Sequence, residues 1–126
     1  VTATGMAAVA LVATLLEPGD LLLAPHDCYG GTYRLLNARA ERRQFQVVFV
    51  DQSNDRALDA ALEDVPALVL IETPSNPLMR IVDIAAIAAK AKSAGAAVAV
   101  DNTFLSPALQ RPLTLGADYV IHSTTK

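Results

Sequence analysis

An α/β fold built on a mostly parallel sheet with helices on both faces is what this sequence predicts, and three observations predict it. Helical and strand patterns alternate along the chain, the strand segments read as short continuous apolar runs, and every strand after the first ends in polar residues. Parallel neighbours need helical crossovers, and strands covered on both faces lose the alternation of a half-exposed strand. Met6 to Glu17 is an unbroken helix-forming stretch stopped by Pro18-Gly19-Asp20, and Leu21 to Ala24 is a short apolar strand. Thr32 to Arg43 has Tyr33, Leu36 and Ala40 at helical spacing with arginines between them, and Gln46 to Val50 reads as a buried β-branched strand. The cycle repeats with a helix over Arg56 to Val65, a strand over Ala67 to Ile71, an Ala-rich helix over Asp83 to Ala94 closed by Gly95, and a strand over Ala96 to Val100. A Pro-containing stretch follows, and Tyr119 to Ile121 is the last strand.

Composition narrows the function. The 126 residues suit one domain, or most of one, and 52% hydrophobic with 18% charged residues excludes a disordered or low-complexity chain. Ten basic against thirteen acidic residues give a net charge of −3, the wrong sign for a nucleic-acid partner. One cysteine, Cys28, forms no internal disulfide, and two histidines with it supply no zinc ligand set. The longest apolar run, Met6 to Leu16 interrupted by Thr14, is shorter than the roughly 20 residues of a membrane span. A cytoplasmic location without membrane contact is expected. The sequence opens without an initiator Met and closes directly after an apolar run, so it reads as a piece of a longer protein.

The candidate chemistry lies where strands end. Asp51, Glu72, Asp101-Asn102 and the run His122-Ser123-Thr124-Thr125-Lys126 each follow a strand, and open α/β sheets bind ligands beyond the carboxyl ends of their strands. Thr4-Gly5 before the first helix adds backbone N–H groups at a helix N-terminus, which favours an anion such as a phosphate. Each piece also has an ordinary structural reading. Thr4-Gly5 is a helix cap, Asp101-Asn102 and Asn76-Pro77 are turn formers, Tyr29 is turn or core filler, and Lys126 alone is a solvated side chain. Cys28 reads as an inert buried thiol, because His26 is the sole base near it in sequence. Asp51 or Asp101 with Thr125 and Lys126 also suits a phosphoacceptor signalling module, although no adjacent acidic pair follows the first strand to hold Mg²⁺. A nucleotide-binding Rossmann domain is weaker, since no G-x-G-x-x-G follows a strand.

Five co-linear segments carry a more specific signal: Thr4-Gly5-Met6-Ala7-Ala8, Tyr29-Gly30-Gly31-Thr32-Tyr33-Arg34, Glu72-Thr73-Pro74-Ser75-Asn76-Pro77, Asp101-Asn102-Thr103-Phe104 and Ser123-Thr124-Thr125-Lys126. Together they resemble the pyridoxal-phosphate-dependent enzymes of cysteine and methionine metabolism, over essentially the whole chain. The resemblance implies the central part of the large, cofactor-binding domain of the aspartate-aminotransferase-like fold, without the N-terminal arm and the C-terminal domain. It implies pyridoxal 5'-phosphate as cofactor. Lys126 matches the lysine that binds the cofactor aldehyde, Asp101 the carboxylate facing the pyridine nitrogen, and Tyr29 the ring stacked on the pyridine. These are the expected catalytic groups. Gly5 and Met6 match backbone donors to the phosphate, Ser123 and Thr125 hydroxyl donors to it, and Asn76 the side chain near the phenolic oxygen. Thr103 is expected behind Asp101, with Tyr29 and Arg34 on the substrate side.

The resemblance implies small amino-acid substrates and a homotetramer of dimers that share active sites. Within the family, Pro25 to Gly31, Asp51-Gln52 and Ser106 to Gln110 resemble most the bacterial gamma-synthase branch, ahead of the gamma- and beta-lyases and then the sulfhydrylases.

Overall fold

The computed structural model describes residues 1–125. Three of its helices begin where short polar side chains cap them. Thr4 Oγ1 accepts the Ala7 N–H ahead of α1 (Gly5–Val12), Asn54 Oδ1 accepts that of Ala57 ahead of α3 (Asp55–Leu62), and Asp83 Oδ1 accepts that of Ala86 ahead of α4 (Ile84–Ser93). The first helix is shorter than the sequence predicts. It stops at Val12 and continues as a 3-10 turn, Ala13–Leu15, where the Thr14 hydroxyl donates to Leu11 O at 2.6 Å and competes with the helical ladder. The third helix also ends early, at Leu62, ahead of Val65 with φ of 52° and Pro66 after it. The helix α2 (Gly30–Glu41) starts two residues before its predicted position, at the glycine pair.

Five strands, β1 (Leu21–Pro25), β2 (Gln46–Val50), β3 (Leu68–Glu72), β4 (Ala97–Asp101) and β5 (Tyr119–Ile121), form one parallel sheet in the order β2-β1-β3-β4-β5. The predicted strand over Gln46 to Val50 is present but not buried. As an outer strand of the described sheet it alternates, and Val48 is 41% exposed. The Pro-containing stretch holds structure of its own: a short helix α5 (Ser106–Leu109) and a 3-10 turn, Pro112–Leu115. Gly116 closes that turn with φ of 101°, a backbone conformation that side chains disfavour, and Asp118 then accepts the Val98 N–H at 2.8 Å and pairs with Lys92 at 3.0 Å. These contacts aim β5 alongside β4.

The strand period of two divides the core between the faces. Leu22, Ala24, Leu68, Leu70 and Ala99 pack with Ala13, Leu36 and Phe45 on the side of α1 and α2, whereas Leu23, Val69, Ile71, Val98 and Val100 pack with α3 and α4. No helix among the described residues is long and apolar enough to cross a membrane. The contrast between central and outer strands is measurable. Ile71→Ala, at 0% exposure, is expected to lower stability by about 2–5 kcal/mol, and Val48→Ala by about 0.5 kcal/mol or less, in urea unfolding of the full-length protein.

Candidate active site

Successive strands diverge at one point in this sheet: β2 lies on one side of β1, and β3 lies on the other. Loops leaving β1 and β3 therefore part company and open a crevice, the topological switch point where α/β sheets take ligands. A cavity of about 240 Å³ lies there, walled by the start of α1 and by residues that end or follow β1, β3, β4 and β5. Side-chain alternation decides which polar groups face it. Glu72 continues the face of Leu68 and Leu70, Asp101 continues that of Ala97 and Ala99, and the two carboxylates are register partners on neighbouring strands.

Asp101 is oriented by Thr103, whose N–H and hydroxyl donate to Asp101 Oδ1 at 3.1 and 2.6 Å. The same Thr103 hydroxyl accepts the Ser123 N–H at 3.0 Å, and the Ser123 and Thr125 hydroxyls lie 2.8 Å apart. A short polar chain thus connects the acid to a hydroxyl pair beside the N-terminus of α1. Gly5 makes that approach possible, because a Cβ on it would come within 2.8 Å of Ser123 Cβ. Gly31 does the same for Tyr29, whose Cε1 lies 2.6 Å from where a Cβ would sit, so the ring folds back over its own helix beside Met6. Beneath the site, the fully buried Asn102 donates to Thr73 O and to Gln110 Oε1, both at 2.7 Å, and fixes the turn after Asp101.

Gly5, Met6, Tyr29, Asn76, Asp101, Thr103, Ser123 and Thr125, the residues singled out by the family resemblance, all line the cavity. Lys126 lies outside the described residues. Arg34 is exposed on α2 and is not among the cavity-lining residues; its Nη1 approaches Gly30 instead. Asp51 also lies away from the cavity, as a half-buried turn residue whose Oδ1 accepts from the Ser53 N–H and hydroxyl, contacts that hold its carboxyl below the usual range. Thr32, Pro74 and Phe104 are wall residues to which the sequence reading gave no individual role, and Glu72, expected only as one of several strand-end acids, lines the wall with them. Burial, with Asp101 and Asp27 nearby, pushes the Glu72 carboxyl up to about 7 against the pull of two backbone amides. Strand periodicity was the available signal, since it puts residue 72 on the face of residues 68 and 70.

The donor set suits a phosphorylated, flat, basic ring. Helix-end amides and two hydroxyls match a phosphate, the Asp101 carboxylate matches a protonated ring nitrogen, and Tyr29 offers an aromatic face. A parallel sheet with such a crevice defines an enzyme domain that holds a phosphorylated cofactor beyond its strand ends. Residues 1–126 match the model of the Cys/Met metabolism PLP-dependent enzymes, and the chain belongs to that family, whose cofactor is pyridoxal 5'-phosphate. It is 62% identical to cystathionine gamma-synthase of Escherichia coli (strain K12) over 126 residues, 99% of this chain and 33% of that protein. It is 44% identical to cystathionine gamma-lyase of Bacillus subtilis (strain 168) over 123 residues, 98% of this chain and 32% of that protein. Among solved structures, cystathionine gamma synthase from Xanthomonas oryzae pv. oryzae in complex with aminoacrylate and cysteine superimposes with a TM-score of 0.97 at 56% identity, covering 99% of this chain and 33% of that one. The chain therefore spans about a third of the length of the relatives it matches.

Cys28 borders this site without the properties of a nucleophile. It is buried, and desolvation together with the Glu72 and Asp27 carboxylates pushes its thiol up to about 12. At pH 8 the native protein is expected to react with iodoacetamide at Cys28 at least roughly a hundredfold more slowly than the urea-unfolded chain. Mass spectrometry of the labelled peptide checks this.

Proposed function

We propose that this segment is the central part of the large domain of a cystathionine gamma-synthase and supplies most of its cofactor site. The reaction joins cysteine to O-succinylhomoserine or O-acetylhomoserine. The Cγ–O bond breaks, the acyl group leaves as succinate or acetate, and a Cγ–S bond to the cysteine sulfur forms, giving cystathionine. The observation that carries this reading is the convergence of Gly5, Met6, Tyr29, Asn76, Asp101, Ser123 and Thr125 on one crevice in a chain 62% identical to a cystathionine gamma-synthase. A relative solved with cystathionine itself supports the small amino-acid substrate class.

Pyridoxal 5'-phosphate, when bound, supplies a sink for the electrons left on carbon after proton removal. The residues do the rest. The amides of Gly5 and Met6 and the hydroxyls of Ser123 and Thr125 would hold the phosphate at the positive end of α1. Asp101, oriented by Thr103, keeps a proton on the ring nitrogen, because an adjacent anion favours the charged form. By the family resemblance Tyr29 and Asn76 would help hold the cofactor, and the Lys126 amine would carry protons between Cα and Cβ of the substrate. Arg34, which does not line the cavity, is assigned to the substrate side by the family resemblance alone. The family resemblance adds a cytoplasmic homotetramer in which paired subunits complete each other's sites.

Two measurements test this reading. Gly5→Ala forces Ser123 away from the helix end, so the apo full-length enzyme is expected to bind pyridoxal 5'-phosphate roughly tenfold or more weakly, by fluorescence titration. In a product assay, wild type given O-succinylhomoserine plus cysteine should form cystathionine faster than it consumes cystathionine alone. The second reading is a lyase, favoured by the 44% identity to a gamma-lyase and the 43% identity to the beta-lyase of Staphylococcus haemolyticus. Dominant release of homocysteine and pyruvate, or of cysteine and 2-oxobutyrate, from cystathionine would establish it instead.

A further inference from the structure

One buried group at the crevice has no part in the mechanism above. Glu72 ends β3 at 7% exposure, and among the described residues its partners are backbone amides rather than a cation. Tyr29 N–H donates to Oε2 at 2.9 Å and to Oε1 at 3.1 Å, and Asn76 N–H donates to Oε1 at 3.0 Å. Tyr29 is the N-cap of α2, with no side-chain cap, so its amide stands outside the helical ladder. Asn76 lies in the loop leaving β3. These two loops diverge at the switch point, and Glu72 is where their backbones meet.

A buried carboxyl is unfavourable unless hydrogen bonds compensate it, and any apolar residue could fill the same volume without that cost. What an apolar residue lacks is acceptors for both amides at once. A glutamine keeps one oxygen: at the Oε1 position it reaches both amides but sets an NH₂ against the Tyr29 N–H where Oε2 now accepts at 2.9 Å, and with the amide flipped the NH₂ faces the Asn76 N–H and one lobe of the Tyr29 contact.

We infer that Glu72 is a positioning residue: its carboxylate ties the backbones of Tyr29 and Asn76 together, and so sets the spacing between the aromatic ring and the carboxamide that flank the crevice. The inference rests on the cofactor-site reading above, in which those two side chains meet the cofactor. A second, outer tie joins the same loops. The Ser75 hydroxyl donates to Asp27 Oδ2 at 2.9 Å, and Arg80 Nε lies 3.7 Å from the same oxygen. The outer tie holds the loops folded, whereas the inner one sets the height of the two functional side chains.

The test uses the full-length enzyme with Glu72→Gln, Glu72→Asp, which keeps the charge but shortens the reach, and Asp27→Asn as the outer-tie control. In the apo form, Glu72→Gln and Glu72→Asp are expected to speed amide exchange about tenfold in residues 27–31 and 74–80 alone, with the global unfolding midpoint retained. In the loaded form both should weaken the visible circular dichroism of the cofactor and lower kcat by roughly a hundredfold with a smaller change in KM, as small misplacements of positioning groups do. Asp27→Asn should leave the dichroism band unchanged. Wild-type exchange and dichroism in Glu72→Gln would overturn the inference, and so would general unfolding of both Glu72 variants, which would make the role purely structural. Should the wild type bind no cofactor, the functional reading fails, while the apo exchange experiment still decides whether Glu72 ties the loops.

Discussion

Parallel pairing of β3 with β4 in register, Glu72 opposite Asp101, is the constraint from which the site follows. Neighbouring parallel strands of equal phase present the same face at each register position. Once Leu68 and Leu70 are buried under α1 and α2, residue 72 has no choice of side, and the same holds for Asp101 after Ala97 and Ala99. Both carboxylates therefore emerge on one face, at the end where strand order reverses. A slip of one residue would turn Asp101 toward α3 and α4 and leave the crevice without its acid. Core packing, which by itself concerns only apolar area, thereby decides the chemistry.

Two carboxylates on adjacent strands in a half-closed crevice repel each other and are poorly hydrated, and the two are relieved differently. Asp101 receives an N–H and a hydroxyl from Thr103 and faces the part of the cavity suited to a cation. Glu72 receives backbone amides and has its carboxyl raised to about 7, so near neutrality it carries a proton part of the time and weakens the mutual repulsion. The same logic explains the buried thiol beside them. A Cys28 thiolate would add a further negative charge next to Glu72 and Asp27, and burial and those carboxylates together keep it protonated.

Most of the architecture was legible because it depends on local pattern. Apolar runs located all five strands to within a residue at either end, and the Ala-rich helix was placed to within a residue of its start. What failed depended on position in the sheet or on competing hydrogen bonds. Gln46 to Val50 is apolar enough for a central strand, but its neighbours are decided by the β1 to β3 pairing, which leaves it outside. The end of α1 at Val12 turns on the Thr14 hydroxyl, which a propensity argument does not register. Within the site, the motif residues line the cavity apart from Arg34 and from Lys126, which lies outside the described residues, whereas Glu72 is legible only as one strand-end acid among several, because its amide partners come from loops that meet only in the fold. Arg34 shows the converse: its motif neighbours line the crevice, but a long side chain on an exposed helix face goes where water and Gly30 allow.

The spacing of the five motifs has the same origin as the crevice. In a parallel sheet all strands end on one side, so loops separated by a helix and a strand in sequence meet in space, and functional side chains concentrate just after strands. Such a site appears in sequence as short polar clusters separated by apolar and helical stretches of some twenty residues or more. Asp51 occupies the same sequence context and is the instructive exception. It follows β2, on the far side of the switch point, so its loop diverges from the crevice and its carboxylate is spent on Ser53. A phosphoacceptor arrangement at Asp51 would need Thr125 beside it, yet the hydroxyl of Thr125 is held at Ser123, across β1, β3 and β4 from that strand. Strand order, more than residue type, separates the acid that can act on a bound ring from the one that merely closes a turn.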